Sequence, residues 1–183
     1  MITKHELAKA PELFIEKWFN VSGELTLKKL LGKPVYIHAF QMLCPGCVAH
    51  GIPQSQKVQR IFEKSDLQVV GLHTVFEHHN AMTPASLKAF LHEYKVTFPV
   101  GVDQHVGNSD MPLTMAAYTM RGTPTTILIN RSGKIAANIF GQIDDLALGA
   151  MIQSLLEDTT TSTASTDPDI ERCNDDGCPI PVD

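Results

Sequence analysis

Between Val35 and Leu156 this 183-residue chain alternates strand-like and helix-like runs, and that order restricts it to a layered α/β architecture. Val35–Phe40 is a short apolar run between Pro34 and a polar break, which reads as a buried strand. Pro45 to Lys64 reads as a helix with Val48, Ile52, Val58, Ile61 and Phe62 on one side, and Pro53 should kink it. Leu67–Leu72 is a second strand. Thr83-Pro84 opens a helix that runs to Tyr94, with Thr83 as N-cap and Pro84 at the first helical position. Phe98–Val102 is a third strand, and Met111–Tyr118 a short helix. Thr125–Asn130 and Lys134–Phe140 flank a four-residue turn as a hairpin, and Asp144–Leu156 closes the pattern as a helix. Early strands separated by helices imply parallel pairing through crossovers, and the hairpin adds an antiparallel edge.

The flanks differ from this centre. Residues 1–22 read as an N-terminal extension, with Leu13, Phe14, Trp18 and Phe19 at roughly helical spacing to cover one edge of a domain spanning 23–156. From 157 onward Thr, Ser, Asp and Pro dominate. That composition buries too little apolar surface to order itself, so 157–183 is expected to be a flexible linker and tail.

Charge narrows the function. The net charge of −5 lacks the basic footprint of a nucleic-acid protein. No run reaches the roughly 18 apolar residues of a membrane span. Lys4, Glu6, Lys9, Glu12 and Glu16 interrupt the N-terminus, so no secretory signal is legible and a cytoplasmic location is expected.

The 4 cysteines fall in two close pairs, Cys44 with Cys47 and Cys173 with Cys178. In a reducing compartment such pairs read as redox dithiols or metal clips. Cys44 follows a strand and precedes a helix, where free N–H groups and the helix dipole favour a thiolate. Cys44 is therefore the expected nucleophile. Cys47, one turn on, is the expected resolving thiol. Pro45 suits a first helical turn, and Gly46 allows close approach of a substrate chain. No second metal-ligand pair lies nearby, which disfavours zinc. The expected redox group is the Cys44–Cys47 disulfide itself, with no separate cofactor and no metal.

The run Gly32-Lys33-Pro34-Val35-Tyr36-Ile37-His38-Ala39-Phe40 leading into Cys44-Pro45-Gly46-Cys47 resembles thioredoxin-like proteins of the TlpA type. Phe98-Pro99-Val100 with Asp103, then Gly122-Thr123-Pro124 through Asn130, and Gly133-Lys134 match the same pattern in order and spacing. The resemblance covers 10–156. It implies a thioredoxin-like fold with a mixed sheet of four or five strands flanked by helices. It also implies thiol–disulfide exchange with protein substrates, recharged by an external thiol donor. It implies a cis Pro124 facing the cysteines, with the backbone of Thr123 pairing with an extended substrate. Where this family has a tryptophan before the first cysteine, Met42-Leu43 stand here. Where thioredoxins carry a buried acid six residues before that cysteine, His38 stands, a candidate acceptor for the Cys47 proton. His50 is a further candidate for tuning thiol acidity.

Three other readings stay open. A peroxiredoxin-type peroxidase would have proline and threonine three and four residues before its nucleophile, where this chain has Gln41 and Phe40. A metal-binding role would use His73, Glu77, His78 and His79, or the thiolates. The Cys173/Cys178 pair is a candidate secondary redox centre able to exchange with the first.

Overall fold

The computed structural model describes residues 7–62, 64–107 and 109–158, so the 159–183 segment with Cys173 and Cys178 lies outside the described residues. The chain forms β1 (Ile15–Phe19), β2 (Val35–Phe40), α1 (Ile52–Ile61), β3 (Gln68–His73) and α2 (Pro84–Glu93). There follow β4 (Val100–Asp103), α3 (Leu113–Ala117), β5 (Thr125–Ile129), β6 (Ile135–Phe140) and α4 (Asp145–Glu157). Thr83 caps α2 and Asp144 caps α4, each side chain accepting from the first-turn amides.

The six strands make one mixed sheet in the order β1-β4-β3-β2-β5-β6. The β2–β3 and β3–β4 pairs are parallel, and β2–β5 and β5–β6 are antiparallel. This is a thioredoxin-like sheet with one strand more than expected. The extra strand is β1, antiparallel to β4. The helical spacing read for Leu13, Phe14, Trp18 and Phe19 therefore does not describe this segment. Four apolar residues satisfied that period by coincidence, and an open sheet edge supplied the partner that decides strand over helix. Gly101 makes room for it: a β-carbon there would stand 2.7 Å from the Ile15 side chain.

Both faces of the sheet are covered, which is why every residue of β2, β3, β4 and β5 is buried and why β2 reads as an unbroken apolar run. One core joins Tyr36 and Phe40 to α1, α2 and α4 through Ile52, Leu87, Leu91 and Ile152. The other joins Val35, Ile37, Ala39 and Ile127 to Met115 and Tyr118. Ile61, expected on the buried side of α1, is 72% exposed because α1 ends there. Asp103 fastens the second face. Its carboxylate accepts from Thr74 Oγ1 at 2.9 Å and from the amides of Thr114 and Met115 at 2.8 and 3.0 Å.

The helix expected from Pro45 is interrupted before Pro53, not at it. Residues Cys47–Gly51 form a π-helical turn in which the Ile52 amide bonds back to the Cys47 carbonyl. Pro53 then falls in the first turn of α1, where its missing N–H leaves no bond unmade. The turn presses on β2 beneath it. A β-carbon on Gly51 would lie 2.2 Å from the His38 ring. His38 is fully buried, stacks on Phe40 with ring centroids 5.8 Å apart, and its Nε2 has no hydrogen-bond partner among the described residues. His73, on the other side of Phe40, is equally buried, and neither ring nitrogen has such a partner.

Burial lowers both imidazoles from 6.5 to about 4. Both are therefore neutral in the folded protein at neutral pH, while the unfolded chain protonates them below 6.5. Stability from this source is intact above pH 6.5 and is lost as pH falls through 4, by up to about 3 kcal/mol per histidine. Asp103, whose carboxyl is raised by burial, acts in the opposite sense at the acid end. Urea unfolding at pH 7 and pH 4.5 should show a loss of several kcal/mol; equal midpoints would contradict the assignment. Gly51→Ala should cost about 1–3 kcal/mol through overpacking against His38, read from the same curves.

Candidate active site

Cys44 and Cys47 sit where the C-terminal end of β2 meets the π turn, and both are free thiols. The turn is closed by Cys44 N–H donating to the Gln41 carbonyl at 3.1 Å and Val48 N–H donating to the Cys44 carbonyl at 3.1 Å. Cys44 is half-buried and Cys47 is buried. The Cys47 amide donates to the Cys44 sulfur at 3.3 Å, as the free N–H groups of a helix start allow. The Cys44 thiol in turn lies 3.6 Å from the Thr123 carbonyl oxygen.

Thr123-Pro124 closes the site from the β5 side, and its peptide bond is cis. A β-carbon on Gly46 would meet Pro124 Cδ at 3.6 Å. Proline and dithiol turn thus face each other across a space that a single added methyl group would fill. Gly122 adopts a positive φ of 157° and packs against the Phe140 ring. Around the rim Leu43 is 55% exposed and Phe140 46% exposed, with the Arg121 guanidinium 5.2 Å above the Phe140 ring. Met42 turns inward and is buried.

The two sulfurs are unequal. Cys47 is pushed up to about 12, chiefly by burial and then by the neighbouring Cys44, against lowering contributions from the Gln41 backbone and Thr123. Its proton is held while Cys44 faces solvent, the division of labour a nucleophile and a resolving thiol need.

His38 lies under the π turn, and burial lowers its ring to about 4. Its visible role is to be the surface on which Gly51 rests. His50 is exposed on that turn.

The histidine-rich segment disperses. His73 is buried in β3, Glu77 accepts from Gln41 Nε2 at 3.3 Å, and His79 faces Asp110 at 3.7 Å. Among the described residues no group of three or more His, Cys, Asp or Glu side chains is placed to hold a metal ion. Gln41 is a site residue the sequence reading did not find. It is buried, its side chain joins Glu77 and the Phe76 amide, and its backbone touches both cysteines. Its signal was a lone polar side chain between Phe40 and Met42 in an otherwise apolar stretch.

The comparisons agree with this architecture. A thioredoxin-like superfamily protein of known crystal structure is 59% identical, covers 83% of this chain and 98% of its own, and superposes with a TM-score of 0.81. A thiol-disulfide isomerase from Corynebacterium glutamicum is 48% identical over 82% of this chain and 98% of its own, with a TM-score of 0.79. The thiol-disulfide oxidoreductase ResA of Halalkalibacterium halodurans is 28% identical over 63% of this chain, and the match spans 59% of that protein's length. With the AhpC/TSA family model matching residues 8–138, the chain belongs to the AhpC/TSA family and has a thioredoxin-like fold.

Proposed function

We propose that this protein exchanges disulfides with protein substrates through Cys44 and Cys47, with net reduction as the working direction in a reducing cytoplasm. The observation that carries the reading is the accessible Cys44 sulfur, held by the Cys47 amide beside the Thr123 carbonyl, with a buried second thiol one turn behind it. The relatives named thiol-disulfide isomerase and thiol-disulfide oxidoreductase support it.

In this reading the Cys44 thiolate attacks one sulfur of a substrate disulfide. A mixed disulfide forms, and the other substrate sulfur leaves as a thiolate. Cys47 then loses its proton and attacks the Cys44 sulfur. The Cys44–Cys47 bond closes and the substrate leaves with both sulfurs reduced. An external thiol donor returns two electrons to the pair. The high proton affinity of Cys47 makes its deprotonation the step that favours higher pH, so release of the mixed disulfide should quicken as pH rises. In this reading Thr123 offers backbone groups to an extended substrate, which its carbonyl beside the Cys44 sulfur and its cis bond to Pro124 support.

Reduction of insulin disulfides by a thiol donor tests the reading. Cys44→Ser should abolish turnover, and Cys47→Ser should accumulate a substrate mixed disulfide on Cys44. Full turnover in the Cys44→Ser variant would refute it. Direction is decided by the potential of the pair. A value near the roughly −270 mV of thioredoxin fits net reduction, and one near about −120 mV would make it an oxidant.

A further inference from the structure

We propose that Gln41 is a positioning residue for the resolving thiol: its side chain, pinned between the Phe76 amide and the Glu77 carboxylate, holds the backbone that serves both cysteines. This deepens the exchange reading above and rests on it.

The need for such a device follows from where the sheet stops. The parallel β2–β3 ladder ends at the Phe40–His73 pair, and one further bond, from the Thr74 amide to the Phe40 carbonyl at 3.1 Å, closes it. Gln41, Met42 and Leu43 then lead to Cys44, and Gln41 is the polar side chain among them. It is only 1% exposed. A primary amide buried that deeply destabilises the fold unless both its ends are bonded. Both are: Nε2 donates to Glu77 Oε1 at 3.3 Å, and Oε1 accepts from the Phe76 amide at 3.3 Å. The side chain thus continues the link between the two segments where the backbone ladder has stopped.

The loop it grips is itself anchored. The Thr74 hydroxyl donates to Asp103 at 2.9 Å, and the Val75 carbonyl accepts from His105 Nε2 at 2.7 Å. Gln41 is therefore tied to a segment that is fixed from the β4 side.

What this restrains is the main chain at the dithiol. The Gln41 carbonyl accepts from the Cys44 amide at 3.1 Å, which sets the start of the turn. The Gln41 backbone also bonds to the Cys47 sulfur. Burial raises that thiol to about 12, and the Gln41 backbone is the first of two groups that oppose the rise, ahead of the Thr123 side chain. A backbone N–H aimed at a sulfur favours the anion, and Cys47 must become an anion to attack Cys44 Sγ. That gain falls steeply once the N–H swings out of line. Gln41 therefore acts on the second chemical step. The first depends on the Cys44 sulfur, which is held by the Cys47 amide beside the Thr123 carbonyl. The titratable groups facing the turn are Cys44, His38 beneath it, His50 on it and Glu77 across from Gln41.

Excess dithiobis-nitrobenzoate, mixed by stopped flow with the reduced full-length chain, separates the two steps. Cys173→Ser and Cys178→Ser in every chain leave only the site thiols to report. In the first phase the Cys44 thiolate attacks one reagent sulfur, and one coloured arylthiolate leaves. In the second, independent of reagent concentration, Cys47 loses its proton and attacks Cys44 Sγ. The Cys44–Cys47 bond closes and the second arylthiolate leaves. Gln41→Met keeps the volume and drops both side-chain bonds. Its second phase should be about tenfold slower at neutral pH, with the pH profile moved up by about one unit and the first phase within about twofold of the parent. Glu77→Gln and Glu77→Ala both remove the same charge from an exposed position, and only the glutamine keeps an acceptor for Gln41 Nε2. The second phase should be about threefold faster in Glu77→Gln than in Glu77→Ala.

An unchanged second phase in Gln41→Met, or both phases slowed alike with the pH profile in place, overturns the positioning role and leaves the exchange reading standing. Should Gln41→Met not fold, equal second phases in the two Glu77 variants overturn it. A parent chain with no first phase overturns the exchange reading as well.

Discussion

The hydrogen bond from the Cys47 amide to the Cys44 sulfur organises the rest of the molecule. It exists because a strand buried on both faces ends at Phe40 and the chain turns at once into a helical start whose first amides have no carbonyl before them. The sulfur takes the place of that carbonyl. The same geometry places Cys47 below the surface, so one turn of chain produces a reachable sulfur and a protected one. Thr123 and Pro124 complete the site from the opposite strand, the Thr123 carbonyl meeting the Cys44 thiol and Pro124 facing Gly46.

Holding that turn in place requires support from underneath. The π turn sits directly on His38, with no room for any side chain at Gly51. Ser55 ties the turn to the strand, donating to the Gly51 carbonyl at 2.8 Å and pairing with the Tyr36 hydroxyl at 3.1 Å. From above, Gln41 links the turn to the loop bearing Phe76 and Glu77. Asp103 does comparable work at the far face, binding Thr74 at the end of β3 to the start of α3. The buried imidazoles of His38 and His73 are neutral packing groups in this frame, and the acid sensitivity of the fold follows from them.

Much of this was legible in the residues. The order of strands and helices from Val35 to Leu156, the cap at Thr83, the hairpin and the dithiol at a strand-to-helix turn all rest on local signals, and local signals survive folding. What was not legible depended on partners distant in sequence. Ile15–Phe19 became a strand because β4 offered an edge, and a run of five residues cannot announce its neighbour. His38 stands where thioredoxins carry a buried acid, and its packing against Gly51 and Phe40, which no local signal announces, makes it the floor of the turn. Pro53 marked a helix irregularity correctly in kind, but the chain absorbed it one turn earlier as the π turn that carries Cys47.

The account depends on the inequality of the two sulfurs, and alkylation kinetics measure that directly. Iodoacetamide added to the reduced protein at neutral pH, with each cysteine followed by peptide mass, should label Cys44 at least about a hundredfold faster than Cys47, as expected for an exposed thiol beside a buried one. Equal rates, or faster labelling of Cys47, would contradict the assignment of nucleophile and resolving thiol.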